Sequence, residues 1–169
     1  MPRKLLIAAL VLPLIVLALG IVRAERHLAD GKRWMFEVNG YDPRDLLRGH
    51  YINYRLVLEQ SPADERCDDD HGERCCLCLT SQPAGMPTKA QRTTCESAET
   101  RCDGVLKTRY LSELQRYYIP EERAAELTAR FQDAAREHRA QLVVAIDAQG
   151  KPQIDTLTID GMALERTRE

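Results

Sequence analysis

The stretch QLVVAIDAQGKPQIDTLTI, residues Gln141–Ile159, contains the clearest structural signal in the chain. The first half contains a continuous apolar run, LVVAI, and the second half alternates apolar with polar residues. Both are rich in β-branched side chains, which is typical of strands. Between them lies Ala148–Lys151, a four-residue segment whose glycine favours a turn. The stretch therefore predicts a β-hairpin and an antiparallel sheet.

Four earlier segments also have the composition of strands. The clearest begins at His50, where Ile52, Tyr54 and Leu56 alternate with polar residues, as expected of a half-buried strand. The four segments are Arg33–Val38, His50–Glu59, Arg74–Thr80 and Gly104–Leu111. Two stretches between them, Ser61–Glu73 and Ser81–Ala90, are rich in Pro, Gly, Asp and Ser and are predicted loops.

One amphipathic helix is expected before the hairpin. Pro120 suits a first helical turn, and Glu121 and Glu122 interact favourably with the positive end of the helix dipole. Leu127 and Phe131 start a narrow apolar stripe at helical spacing. The sequence therefore predicts an α+β fold: one N-terminal transmembrane helix, then a small, mainly antiparallel β domain with one amphipathic helix.

The N-terminal run LLIAALVLPLIVLALGIV, Leu5–Val22, contains no charged residue. At ~1.5 Å per residue it would extend roughly 27 Å, close to the ~30 Å thickness of bilayer hydrocarbon. The apolar region of a cleaved signal peptide is shorter, at about 7–15 residues, and Val22–Ala24 is a poor cleavage motif. The sequence predicts an uncleaved signal anchor in residues 1–24, bilayer contact through residues 5–22, and one domain in residues 25–169.

The cysteines indicate the compartment. All 6 lie between Cys67 and Cys102, and an even number in a short window is typical of disulfides in exported proteins. We therefore expect a single-pass membrane protein whose C-terminal domain lies outside the cytoplasm. The net charge of −2, with both signs interspersed, gives no indication of nucleic acid binding.

One disulfide, Cys95–Cys102, is predicted because the six residues ESAETR between them could loop back between two strands. Adjacent residues of a strand point to opposite faces, so a bond between Cys75 and Cys76 is not expected. Cys67 would then pair with one of three cysteines in the same segment: Cys75, Cys76 or Cys78.

A metal site or a thiol–disulfide-active module is the alternative use of these cysteines. The spacing C-x3-H-x3-C-x2-C would supply zinc with four ligands: Cys67, His71, Cys75 and Cys78. Cys76 would be a fifth thiol with no place in a tetrahedral site. Disulfides are therefore preferred, and no cofactor is expected.

The candidate functional stretch is DPRDLLRGHY, Asp42–Tyr51. Asp42 before Pro43 has the composition of a helix N-terminus, and Gly49 stands where a left-handed residue would end a short helical turn. We expect a connector between two strands, with partner binding as its second role. Its candidate binding residues are Asp42, Pro43, Arg44, Asp45, Arg48, Gly49, His50 and Tyr51.

Several segments together resemble the GDYxxLxY-domain family over Ala29–Met162: ADGKRWMFEV, DPRDLLRGHYINYRL, YYIPEERAAELTARF and the IDG near the C-terminus. The resemblance carries over to Asp42, Pro43, Arg44, Leu47, Gly49 and Tyr51. His50 stands where the family motif has Asp, so a carboxylate is not preserved there. Tyr54 and Leu56 replace the Leu and Tyr of the motif and keep the strand face apolar.

The resemblance implies a small bacterial protein with one membrane segment and an extracytoplasmic domain of unassigned biochemical activity. With the expectations above, this indicates a single-pass protein of the bacterial inner membrane with its C-terminal domain in the periplasm. The resemblance also implies an accessory role beside a polytopic, integral membrane protein. No GxSxG, HExxH or P-loop motif is present. A signal-peptidase-type serine protease is excluded because Tyr41 stands in place of the nucleophile. The expectation is thus a non-enzymatic, membrane-anchored accessory domain.

Overall fold

The computed structural model describes residues 3–40, 51–58, 67, 75–83 and 86–165. These ranges contain three α-helices: α1 (Arg3–Asp30), α2 (Cys95–Arg101) and α3 (Ala124–Arg136). The strands are β1 (Lys32–Gly40), β2 (Tyr51–Leu56), β3 (Cys75–Thr80), β4 (Lys89–Thr94), β5 (Gly104–Lys107), β6 (Arg116–Tyr118), β7 (Ala140–Ile146), β8 (Pro152–Ile159) and β9 (Met162–Ala163). Short 3-10 helices span Thr108–Leu114 and Glu121–Arg123.

The N-terminal helix corrects one part of the predicted fold class. No helix in the described ranges is long and apolar enough to cross a membrane, so the expected transmembrane helix at Leu5–Val22 is wrong.

A six-stranded antiparallel sheet forms the larger part of the fold, in the order β6-β2-β1-β7-β8-β9. The predicted hairpin is confirmed: β7 pairs with β8 from Ala140↔Ile159 to Ile146↔Pro152. Its turn is held by the Asp147 carboxylate, which accepts hydrogen bonds from the backbone N–H groups of Gln149 (2.9 Å) and Lys151 (2.8 Å). Gly150 supplies the positive φ of 74° that the turn requires.

A second, three-stranded sheet has the order β4-β3-β5. Strand β3 was predicted, whereas β4 begins inside the predicted loop Ser81–Ala90. Strand β5 ends at Lys107, earlier than predicted, because the chain continues as the 3-10 helix that begins at Thr108. The small sheet lies against β1 through Thr88, whose N–H donates to the carbonyl oxygen of Met35 at 2.6 Å.

Helix α3 packs on the inner face of the large sheet, as its apolar stripe predicted. The buried residues of the helix are Ala124, Leu127, Phe131, Ala134 and Ala135. The ring of Phe131 lies 6.3 Å from that of Tyr54 in a tilted arrangement. Burial of an aromatic side chain of this size stabilises the fold by roughly 1.5–3 kcal/mol, so this contact is a main anchor of the helix.

Trp34 and Gly104 join the two sheets. Trp34 on β1 is only 4% exposed, and Gly104 at the start of β5 lies directly against its indole. A Cβ atom at position 104 would lie 2.2 Å from Cζ2 of Trp34, well inside the ~3.5 Å contact distance of two carbon atoms. The small sheet can therefore approach β1 this closely only because residue 104 has no side chain.

Candidate functional site

Of the candidate stretch Asp42–Tyr51, only Tyr51 lies in the described part of the chain; residues 42–50 lie outside it. The two strands that flank the stretch are antiparallel neighbours, with Val38 opposite Leu56 and Gly40 opposite Tyr54. This arrangement is what a strand connector requires. The short helical turn and the binding roles of residues 42–50 stay predictions.

Strand β2 has the alternation that the sequence predicted. Ile52 and Tyr54 are buried, at 3% and 1% exposure, and face α3 and the core. Tyr51 and Asn53 lie on the opposite, outer face and are half-buried. On the side of β2 away from β1, its first three residues pair with the three residues of β6.

Three side chains form a cluster on this outer face, which we call the tyrosine–arginine patch: Tyr51, Arg116 and Tyr118. Tyr51 pairs directly with Tyr118 across the strands, and their ring centroids are 6.0 Å apart. Arg116 is the diagonal neighbour of Tyr51, and its guanidinium carbon lies 5.3 Å from the centre of that ring. Such cross-strand and diagonal contacts, together with the cation–π geometry, fix the three side chains relative to one another.

Tyr118 is the most exposed aromatic side chain of the described residues, at 68%. An aromatic ring exposed on an ordered strand is available for contact with another molecule, and tyrosine is enriched at interfaces. Tyr and Arg are also the residue types, with Trp, that are enriched among the residues dominating protein–protein binding energy. The patch thus has the composition and the rigidity of a binding surface.

On the inner face, two tyrosines lie beneath the patch. The Tyr117 hydroxyl donates to Oε1 of Glu165 at 3.2 Å; burial, and then the negative charge of Glu165, raise the pKa of Tyr117. The Tyr54 hydroxyl is buried without a hydrogen-bond partner among the described residues, and burial raises its pKa as well. Both phenols therefore stay protonated at neutral pH, and neither is suited to act as a general base.

A cleft of about 480 Å³ lies between β5 and the β7–β8 turn. Two of its charged side chains form hydrogen bonds with the backbone: Nζ of Lys32 donates to the carbonyl oxygen of Asp103 at 3.3 Å. The Asp103 carboxylate accepts from the Ser81 N–H at 2.8 Å, and this bond, followed by weaker effects that include the Lys32 charge, lowers its pKa. These hydrogen bonds link β1 to the small sheet, so both charged side chains make structural contacts.

All six cysteines are paired in three disulfides, which lie in and beside the small sheet. The pairs are Cys67–Cys75, Cys76–Cys95 and Cys78–Cys102. Cys67 therefore bonds to one of its three predicted partners. Cys75 and Cys76 point to opposite faces of β3 and bond to different partners, as the strand geometry predicted.

The predicted Cys95–Cys102 disulfide is wrong. Residues 95–101 form helix α2, and Cys102 is its C-terminal cap. A helix rises ~1.5 Å per residue, so the Cα atoms of Cys95 and Cys102 are about 10 Å apart, beyond the ~7 Å limit for a disulfide. The segment that was expected to loop back instead points the two cysteines at different residues of β3.

The disulfides also involve three of the four residues proposed as zinc ligands, Cys67, Cys75 and Cys78. The fourth, His71, lies outside the described residues. Within the described ranges, no group of three or more His, Cys, Asp or Glu residues is placed to hold a metal ion. Zinc binding through this set would require reduction of two disulfides first.

Sequence reasoning identified Tyr51 but missed its partners Arg116 and Tyr118. The segment RYY at Arg116–Tyr118 has strong β propensity, and Pro120 follows it, which together are a signal for a short edge strand. Its pairing with β2 could not be found from local sequence, because more than sixty residues separate Asn53 from Arg116.

Comparison with known protein families gives one match. The family model described as GDYXXLXY protein matches residues 13–157. The matched range begins within α1 and ends in β8, so it includes the small sheet, the large sheet except β9 and the end of β8, and the tyrosine–arginine patch. No curated protein and no solved structure matches the chain.

Proposed function

This chain belongs to the GDYXXLXY protein family, and on that premise we propose that it is a non-catalytic interaction domain that binds a partner protein through the tyrosine–arginine patch. The observation that carries the proposal is the 68% exposure of Tyr118 on a strand whose neighbours hold it in place. An interface that covers this ring would remove a large apolar surface from water at little entropic cost, because tyrosine has only two side-chain torsions.

The site of action that we propose is outside the cytoplasm. The three disulfides support it, because such bonds persist in oxidising compartments such as the bacterial periplasm and are rare in the cytosol. The family resemblance adds the expectation that the partner is an integral membrane protein. A phosphatase reporter fused after the last residue tests the compartment: activity is expected, and a fusion active only as a cytoplasmic reporter would contradict it.

The chemistry of the described residues favours binding over catalysis. The two tyrosines beneath the patch have raised pKa values, so they offer no base at neutral pH. The cysteines are held in disulfides, so they offer no thiolate nucleophile in this state. The side chains of the patch are tyrosines and an arginine, which are residue types enriched at protein–protein interfaces. This composition favours a recognition role.

Site-specific photo-crosslinking tests the proposed function. We would replace Tyr118 by p-benzoylphenylalanine in cells and identify the adduct by mass spectrometry. The matched control is the same replacement at Met86, which is also well exposed, at 57%, but lies in the segment that precedes β4. A discrete adduct with an integral membrane protein is expected at position 118 and not at 86.

A second variant makes the crosslinking result specific. Arg116→Glu in the same background reverses the charge of the patch and should reduce the yield of the adduct at least tenfold. Adducts of equal yield and identity at positions 118 and 86, or an adduct that survives Arg116→Glu unchanged, would show that the patch is ordinary surface.

A further inference from the structure

The outer edge of strand β6 carries backbone groups that are directed away from β2. Strand β6 is the end strand of the large sheet, and no strand in the described ranges pairs with its other side. The Tyr54 N–H donates to the Gln115 carbonyl oxygen at 3.3 Å, which identifies Gln115 as a residue whose backbone faces β2. In an antiparallel ladder these positions alternate, so Tyr117 also faces β2, whereas Arg116 and Tyr118 direct their N–H and C=O groups outward.

The length of this edge is limited on its C-terminal side. Pro120, which has no N–H group, lies two residues after Tyr118 and is the N-cap of the 3-10 helix Glu121–Arg123, at φ −60°. The outward groups of Arg116 and Tyr118 therefore define a short binding edge with two N–H donors and two carbonyl acceptors. Short edges of this kind suit one added strand and limit uncontrolled edge-to-edge aggregation.

The side chains of the edge select what could pair with it. A strand added beside β6 would place its side chains opposite Arg116 and Tyr118 on the outer face, where both are exposed. Opposite charges, and aromatic or β-branched pairs, stabilise directly facing positions, and like charges destabilise them. The complementary segment has an acidic residue opposite Arg116 and a β-branched or aromatic residue opposite Tyr118, with one residue between the two.

We propose that the outer edge of β6 binds an extended segment of a partner polypeptide as an additional antiparallel strand, with an acidic side chain opposite Arg116 and a β-branched or aromatic one opposite Tyr118. The proposal rests on the proposed function and specifies how the patch recognises its partner. The strand pairs of both sheets are antiparallel, so the added strand continues the pattern of the large sheet. Main-chain hydrogen bonds then supply affinity, and the two side-chain positions supply specificity.

A synthetic peptide, acetyl-TVTETVT-amide, is a suitable probe. Its central Glu has Val two residues away on both sides, so one Val faces Tyr118 when Glu faces Arg116. Binding would be followed by calorimetry and by amide shifts of Arg116 and Tyr118 in NMR spectra. Methylation of the backbone nitrogen of the peptide's Glu, which removes its hydrogen bond to the Arg116 carbonyl oxygen, should weaken binding at least tenfold. Methylation of an adjacent Thr nitrogen, which points away from β6, should leave it within twofold.

Charge exchange tests the side-chain part of the proposal. Arg116→Glu should weaken binding of the TVTETVT peptide at least tenfold, and the TVTKTVT peptide should bind this variant with the affinity that is lost. Arg109→Glu is the matched control, because Arg109 forms the same type of contact with Tyr110, at 4.8 Å from the ring centre, away from the edge. Thermal melts of both variants verify folding.

Two outcomes would overturn strand addition. Equal binding of the two methylated peptides would show that main-chain pairing is not involved. A homodimer through β6 in sedimentation, without binding of the probe, would show that a second copy occupies the edge. In either case a crosslink at Tyr118 that depends on Arg116 would leave the interaction function itself supported, so the two proposals fail separately.

Discussion

Replacement of Gly104 by Ala tests the contact that joins the two sheets. The new methyl carbon would lie 2.2, 2.9 and 3.0 Å from Cζ2, Cε2 and Cη2 of Trp34. To restore a ~3.5 Å separation, the indole or β5 must move by roughly 1.3 Å. Overpacking of a core costs about 1–3 kcal/mol, and we expect the upper end of that range because Trp34 is only 4% exposed.

The assay is urea denaturation followed by far-UV circular dichroism with the disulfides intact. Fluorescence is unsuitable because Trp34 is the single tryptophan of the chain and two of the variants below replace it. Trp34→Leu removes the clashing atoms and costs roughly 3 kcal/mol by itself. In the double variant the methyl group introduced at position 104 enters the vacated space, so the two losses should fall short of additivity by about 2 kcal/mol.

The matched control is Gly20→Ala, whose new Cβ would meet no atom within 4 Å. Alanine is favoured over glycine in a helix, so this variant should be as stable as the parent or slightly more stable. Additive losses in the double variant, or a Gly104→Ala protein that unfolds with the parent's midpoint, would refute the proposed packing of β5 on Trp34.

Two further predictions concern the small sheet. A double serine variant of Cys78 and Cys102 opens a disulfide loop with a sequence separation of 24. Its free energy of unfolding should be lower by about 3.5 kcal/mol on the chain-entropy estimate. Non-reducing peptide mapping of the parent should find these two cysteines linked, and a Cys95 peptide linked to Cys102 would contradict the structure. The hydrogen bond from the Ser81 N–H lowers the pKa of Asp103 in the folded state. The ionised Asp103 carboxylate therefore stabilises the fold above the pKa that it has in the unfolded chain, and this contribution is lost as pH falls through its pKa in the folded protein. Melting temperatures from pH 2 to 6 should therefore decline less in Asp103→Asn than in the parent, and parallel curves would show that this carboxylate does not contribute.

Local periodicity was enough to predict the elements whose pattern comes from burial on one face. The β7–β8 hairpin, β2 and α3 all have apolar residues at the spacing of their own secondary structure, and all are confirmed. Strand β4 was missed because its sequence, KAQRTT, has a single apolar residue, Ala90. Its pairing with β3, from Cys75↔Thr94 to Thr80↔Lys89, depends on the tertiary fold.

Helix α2 was missed although a local signal was present. Thr94 caps the helix by accepting the Ser97 N–H at 3.4 Å, and Glu96 follows in the first turn, a combination typical of helix N-termini. The error had consequences, because an extended ESAETR segment made the Cys95–Cys102 bond look feasible. The candidate site was half predictable: Tyr51 came from the motif, whereas Tyr118 required knowledge of which strand β2 pairs with.

The late position of β7 in the sequence determines the order in which the large sheet and the disulfides can form. Strand β1 lies between β2 and β7, and it pairs with β7 from Lys32↔Ile146 to Glu37↔Gln141. During synthesis from the N-terminus, the edge of β1 that pairs with β7 stays unpaired until almost all of the sequence has been made. An unpaired strand edge is open to mispairing with other strands. The three disulfides, in contrast, all close between Cys67 and Cys102. A chain truncated after α3 would therefore contain every cysteine pair and still lack the neighbour of its central strand, so complete oxidation of this protein does not report that it has folded.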